Sequence, residues 1–323
     1  MISNSCNNTQ NSFIYPSNDT EIDQRIEIAK KFQVGDLVFT KMNKGFNKID
    51  SFTVLMQKVV NWIYSKNIDP SYSNYTHVAI VVDVNQFNGQ VLIAEAMPTK
   101  NHKKDLRIVD LLSDNSCQLQ KNKNYSYEIV RITDKNLIPF IPKTVEIAKK
   151  LAERASYLLT EANEPQKESP SKKSLFSFWN AIKAIFSKQP TDIDPLNPGT
   201  TKRIFKQIYD TTSEINTATG GSKPRKFFCA SFVGYLLQTS EATHAWETLK
   251  KNHPNMQVEL TQVTGSNIKK PVSKWAKRMT KEHGTELNNL MQHYRFDAKK
   301  TGPGALRSFF KQKNIETFSL EGC

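Results

Sequence analysis

The order of apolar and polar residues along the chain marks out its elements. The first twenty or so residues, rich in Asn, Ser and Thr, read as disordered and give way to a short helical pattern at 22–31. Val34-Gly35-Asp36-Leu37-Val38-Phe39-Thr40 predicts a strand. Val54, Leu55, Val59, Trp62 and Ile63 then fall near helical spacing, predicting an amphipathic helix at about 51–65. Residues 76–84, Thr-His-Val-Ala-Ile-Val-Val-Asp-Val, form a nearly continuous β-branched run; Asn88-Gly89 marks a turn, and Val91-Leu92-Ile93-Ala94-Glu95-Ala96 returns as a second strand. Residues 125–132 give a further strand candidate. Pro142 and Thr144 open a long helix with Val145, Ala148, Leu151, Ala152, Ala155 and Leu158 on one face.

Beyond that helix the pattern changes. Residues 161–174 are polar, charged and Pro-containing, as expected of an exposed linker or insertion. Within it, Leu175, Phe178, Trp179, Ile182, Ile185 and Phe186 share one helical face flanked by Lys172, Lys173 and Lys188. Such a helix at 175–186 acts as a lid over the chain's own core or lies on an anionic membrane surface. A breaker region at 189–200 ends the insertion. Helical apolar spacing resumes over 227–238, behind Ser222, Lys223 and Pro224, with Cys229 near its start. The remainder, 261–313, reads as basic and helical with loops at Gly265 and at 302–304. No repeat with a period of 20–50 residues is evident.

With 38% apolar and 10% aromatic residues among 323, the chain has the makings of a packed core, which excludes collagen, coiled coil and wholesale disorder. The abnormal number is a net charge of +14, from 45 Lys+Arg against 31 Asp+Glu. The strands at 35–96 are close to charge-balanced, and the Lys-rich stretches lie in the flanks of the insertion and in the C-terminal helices. The excess therefore reads as a positioning surface for anionic partners such as a membrane, and no motif for specific nucleic-acid binding accompanies it. The longest apolar runs, 78–82 and 91–94, are far below the about 20 residues that span a bilayer. The N-terminal sequence lacks the basic, apolar and small-residue parts of a secretory signal, so a cytosolic character is expected. Cys6, Cys117, Cys229 and Cys323 show no CxxC or HxxxH spacing, which points to reduced thiols rather than a disulfide scaffold or zinc site. His102, His244, His253, His283 and His293 form no metal-ligand grouping and are read as surface or capping residues, so no metal or cofactor is expected. Gly220-Gly221 is a turn and not a phosphate loop.

A thiol reacts as its thiolate, and a helix N-terminus or a nearby imidazolium favours that form. Cys229 falls in the predicted first turn of an apolar helix. His77 begins a stiff strand, and Glu95 lies on the strand that the Asn88-Gly89 turn folds back beside it. A carboxylate among Val, Leu, Ile and Ala is costly to bury unless paired. Taken singly, Cys229 also reads as a buried small hydrophobe and His77 as a structural or surface residue; taken together, the three supply candidates for a nucleophile, a base and an orienting carboxylate.

Four segments in order carry a resemblance: Gly35-Asp36-Leu37-Val38-Phe39, Tyr75-Thr76-His77-Val78-Ala79-Ile80-Val81, Ala94-Glu95-Ala96 and Phe228-Cys229-Ala230-Ser231-Phe232-Val233. Together they resemble the permuted papain-like enzymes of the NlpC superfamily, YiiX-like branch, in which the histidine precedes the cysteine. The resemblance covers about 35–132 and 222–240, with a weaker echo at 303–318, where the family ends in a Pro-Leu segment and a final strand. It departs in the nucleophile helix, where the family reads Cys-Ser-Glu and this chain reads Cys229-Ala230-Ser231, and in the long gap before Cys229. The resemblance implies an α+β fold of permuted papain-like type, a small antiparallel sheet or half-barrel packed on helices, with a helical insertion. It divides the chain into a flexible segment with a short helix at 1–30, a first core part at 31–160, the insertion at 161–221 and a second core part at 222–323.

It also implies Cys229 as nucleophile, His77 as general base and Glu95 as the residue that orients it. The expected chemistry is acyl transfer through a thioester, on an amide- or ester-containing substrate: a peptide, a cell-wall fragment or a lipid. The family spans hydrolases and acyltransferases, so the triad leaves the acceptor open. The absence of a wall-targeting segment on such a fold suggests a bacterial effector acting inside a host cell. The alternative is a weak or inactive papain-like scaffold that binds an anionic membrane or nucleic acid through its basic surface.

Overall fold

The computed structural model describes residues 19–43, 72, 74–96, 106–113, 125–161, 198–212, 227–254, 269–296, 298 and 301–320. The N-terminal segment before 19, the expected helix at 51–65, the segment 162–197 with the helix at 175–186, the Gly220-Gly221 and Gly265 turns, His102 and the cysteines other than Cys229 lie outside the described residues.

In chain order the elements are α1 (Asp19–Ala29), β1 (Leu37–Met42), β2 (Tyr75–Asn85), β3 (Gln90–Ala96), β4 (Leu106–Asp110), β5 (Tyr125–Ile132), a 3-10 turn (Ile138–Phe140), α2 (Ile141–Glu161), α3 (Pro198–Thr212), α4 (Cys229–Asn252), α5 (Lys269–Leu290), α6 (Pro303–Lys311) and β6 (Ile315–Leu320). The strands form one open antiparallel sheet in the order β4-β3-β2-β1-β5-β6, so the protein is α+β. No described helix is long and apolar enough to cross a membrane.

Period-2 alternation gives the sheet two apolar faces. On one, Leu37, Phe39, Val78, Ile80, Val82, Ala94 and Val130 pack under α2, α4 and α6. On the other, Val38, Ala79, Val81, Val91, Ile93 and Ile129 pack with Ala29 and Phe32 from α1 and the turn after it. A separate apolar cluster joins α3, α4 and α5 through Ile204, Phe205, Ile208, Trp246, Leu249, Ala276, Met279 and Leu287.

The expected strand at 34–40 begins later, at Leu37, because Gly35 turns the chain with φ +95°. Its N–H still donates to Val81 O at 2.8 Å, joining the turn to the sheet. A Cβ at Gly35 would lie 2.2 Å from Ile141 Cγ2, so only glycine lets the start of α2 approach. The adjoining Asp36 carboxylate is buried and accepts from Arg131 Nε at 3.0 Å, Arg131 Nη2 at 2.8 Å and Gln33 N–H at 2.8 Å. Asp36 is therefore a structural clamp between the approach to β1 and strand β5.

Three elements differ from the pattern-based expectation. β4 is too short for its alternation to stand out. α3 begins inside the expected breaker region: Pro198 and Gly199 occupy its first turn, where a missing N–H costs nothing. The expected loop at 302–304 shrinks to Gly302, the N-cap of α6, with Pro303 at the first helical position. The final strand implied by the resemblance is present as β6, beside β5.

Replacing Gly35 by Ala should lower stability by roughly 2–4 kcal/mol, read by chemical denaturation, because it combines a left-handed backbone with a clash against Ile141. An unchanged midpoint would show that this turn relaxes freely.

Candidate active site

α4 is buried along almost its whole length, and its first residue is Cys229. Phe228 is the N-cap in an extended conformation. The Ser231 hydroxyl reaches back to accept from Phe228 N–H at 2.9 Å and donates to Phe228 O at 2.8 Å, so a side chain at the third helical position closes the helix start. The first intrahelical bond there runs from Phe232 N–H to Phe228 O at 2.9 Å. The N–H groups of Cys229 and Ala230 lie before it and have no acceptor within the helix, and the positive end of the helix dipole falls on the thiol.

Cys229 meets the end of β2. The register of β1 on β2 slips there: Thr40 opposes His77 and Lys41 opposes Tyr75, so Thr76 is an extra, bulged residue. In its thiol form Cys229 Sγ donates to the carbonyl of Thr76 at 3.8 Å. The bulge thus places the backbone next to the thiol and aims the neighbouring imidazole.

His77 alternates with Ala79 and Val81, and Glu95 alternates with Ile93 and Val91, which puts both on one face of the sheet. Ile80 opposes Ala94, so Glu95 sits diagonally across from His77, within reach of a long side chain. His77 Nε2 lies 2.8 Å from Glu95 Oε2. Glu95 leaves the Nδ1 side of the ring open, and Cys229 acts on the same imidazole, favouring its protonated form. All three residues picked out in the sequence therefore come together.

The structure adds a fourth residue. Arg107 on β4 stands directly opposite Glu95 and donates to its Oε1 from Nε at 2.8 Å and from Nη2 at 2.6 Å. Glu95, 5% exposed, thus bridges an imidazole on one oxygen and a guanidinium on the other. The signal for Arg107 was the short Leu106-Arg107-Ile108-Val109 alternation, legible only once β4 is paired with β3 in this register.

The charges explain the titration. Burial alone would push the His77 imidazole down, but the hydrogen bond and charge of Cys229, followed by those of Glu95, outweigh it and raise its pKa to about 10. Burial alone would push Glu95 up; His77 and then Arg107 reverse that and bring it to about 2. At neutral pH the group is an ionised carboxylate between two cations, with a charged imidazole against the sulfur.

The four other described histidines, His244, His253, His283 and His293, make their contacts elsewhere. His244 and His293 lie against Phe140, and His253 is the C-cap of α4, as a capping role requires. Contrary to the sequence reading, however, His253 and His283 do group, around Glu286. Compared with known proteins, the chain matches no family model, no curated protein and no solved structure.

Because its pKa is depressed, Glu95 contributes stability that is complete above its unfolded value of about 4.5 and is lost as pH falls toward about 2. Denaturation midpoints measured across that window should drop steeply for the unmodified chain and less steeply for Glu95→Gln. Parallel curves would mean that the carboxylate is not ionised in the fold.

Proposed function

We propose that the chain is a cysteine-dependent amide or ester hydrolase, or an acyltransferase, working through a Cys229-His77-Glu95 triad on a permuted papain-like fold of the NlpC type. The observation that carries this reading is the 2.8 Å contact from His77 Nε2 to Glu95 Oε2, with the other side of the same ring against a cysteine at a helix N-terminus. The order of elements supports the same reading. A Gly-Asp-Leu-Val-Phe strand pairs with the histidine strand, the carboxylate strand follows by a tight turn, and the nucleophile helix comes last. Ser231, where the resembled family has glutamate, performs the N-terminal capping that a glutamate would perform at that position.

In this mechanism the Cys229 thiolate adds to the substrate carbonyl carbon. The N–H groups of Cys229 and Ala230 face the charge that develops on the carbonyl oxygen. The tetrahedral adduct collapses as the imidazolium of His77 gives its proton to the departing amine or alkoxide, leaving an acyl thioester. Neutral His77 then takes a proton from water or another acceptor, whose oxygen or nitrogen displaces the thiolate. Glu95 remains ionised throughout and stabilises the charged ring, while Arg107 fixes the carboxylate.

Iodoacetamide at neutral pH should label Cys229 ahead of the other cysteines, and His77→Ala should slow that labelling at least tenfold, both read by peptide mass spectrometry. Equal reactivity of all four thiols would count decisively against the triad. Turnover of an activated ester should fall as pH rises through about 10, where the imidazolium is lost as proton donor. In Glu95→Gln that alkaline limb should move to lower pH, because the charged ring loses its partner. A limb indifferent to Glu95→Gln would remove the carboxylate from the mechanism.

A further inference from the structure

A second constellation lies at the opposite end of α4 from Cys229, roughly 35 Å along the helix at 1.5 Å per residue. The helix stops at His253, whose φ of −128° and ψ of 73° leave the helical region while its N–H still donates to Leu249 O at 2.9 Å. Its ring turns onto α5. There His283 and Glu286, three residues apart, share one face of the helix. His253 Nε2 is 2.7 Å from Glu286 Oε2, and His283 Nδ1 is 4.0 Å from the same oxygen. The two imidazole rings are 4.7 Å apart between centroids. One donor atom from each residue falls in a group whose members all lie within 4.8 Å of one another. Asn252 Nδ2 donates to the other carboxylate oxygen, Oε1, at 3.0 Å, which holds the carboxylate with Oε2 turned to the histidines.

From this geometry we infer that His253, His283 and Glu286 bind a divalent first-row transition-metal ion, with Zn²⁺ as the fitting representative, which ties the end of α4 to α5. Two imidazoles and one carboxylate are the donors such ions take, and the set is too rich in nitrogen and too poor in oxygen for Ca²⁺ or Mg²⁺. Bonds of about 2.0–2.2 Å in a tetrahedron place neighbouring donors about 3.3 Å apart, so the short edge opens and the long edge closes by side-chain rotation. The side chains of His253 and Glu286 are 41% and 33% exposed, so that rotation leaves the core undisturbed and a face open for water as fourth ligand. Asn252 is the outer partner that orients a ligating carboxylate. Beneath the three residues lies the apolar cluster shared by α3, α4 and α5, and the ion would cross-link two of those helices at its rim.

The test uses the full chain, stripped with chelator and dialysed against Zn²⁺, with bound metal counted by elemental analysis. Cys229 is itself a zinc ligand by nature, so the same measurement is made on Cys229→Ser. We expect the unmodified chain to bind one equivalent more than His283→Ala or Glu286→Gln, the same difference to appear when these substitutions are made in Cys229→Ser, and the site-intact chains to gain thermal stability with Zn²⁺ and not with Mg²⁺. Glu286→Gln preserves size and can keep the contact with Asn252, so it decides the matter if His283→Ala fails to fold by circular dichroism. Equal zinc stoichiometry in the unmodified chain and in Glu286→Gln, or stabilisation by Mg²⁺ as great as by Zn²⁺, would overturn the assignment.

Discussion

The structure depends on a helix that is buried on nearly every side. α4 packs against α2, α3, α5, α6, β2 and β3, joining the sheet to the helical cluster. A helix so enclosed cannot leave its polar groups to water, and several of them tie it to neighbouring segments, although the buried Thr239 hydroxyl has no hydrogen-bond partner. Ser231 closes its start. Gln238 donates to the carbonyls of Tyr294 at 3.2 Å and Phe296 at 2.5 Å. Ser240 accepts from Thr144 of α2 at 2.9 Å. Glu241 accepts from the N–H groups of Gln292 and His293 at 2.8 Å each and of Tyr294 at 2.7 Å, gathering the chain after α5 onto the helix. The position of Cys229 is thus fixed by contacts along the whole helix as well as by its own.

Carboxylates in the fold work in the same way. Asp36 holds Arg131, and Glu128 on β5 holds Arg307 of α6 through Nη2 at 2.5 Å and Nε at 3.1 Å, with the Tyr75 hydroxyl on the same carboxylate. Arg307 in turn lies over the ring of Tyr72. Glu95 differs because one of its two cationic partners can give up a proton. Arg107, Arg131 and Arg307 pair with Glu95, Asp36 and Glu128, which offsets part of the cost of burying those carboxylates in the sheet. On α5, Lys274, Lys277, Arg278 and Lys281 are exposed, with Ala276 and Met279 turned to the apolar cluster. Part of the +14 charge is therefore a solvated helix face, far in sequence from the strands of the catalytic candidates.

The sequence by itself determined the elements whose pattern is strong and local. The β-branched run and the Asn88-Gly89 turn specified the β2–β3 hairpin, with Gly89 at φ +66° as a tight turn requires. The apolar helix after Phe228 put a cysteine at a helix start, and a lone glutamate in an apolar strand signalled a buried partner. From these, His77, Glu95 and Cys229 could be named together, because the chemistry of each restricts what it must sit beside.

Tertiary structure alone decided what depends on register and on contacts between distant segments. β4 is five residues long, too short to announce itself, yet its pairing places Arg107 opposite Glu95. α3 starts with Pro and Gly, residues that usually punctuate a chain, and is held by packing on α4 and α5 that no local pattern encodes. His253 lies some thirty residues from His283 and Glu286, and spacing along the chain gave no reason to group them. Sheet order, the bulge at Thr76 and the meeting of two helix ends arise from burying several surfaces at once, and local periodicity carries no record of that.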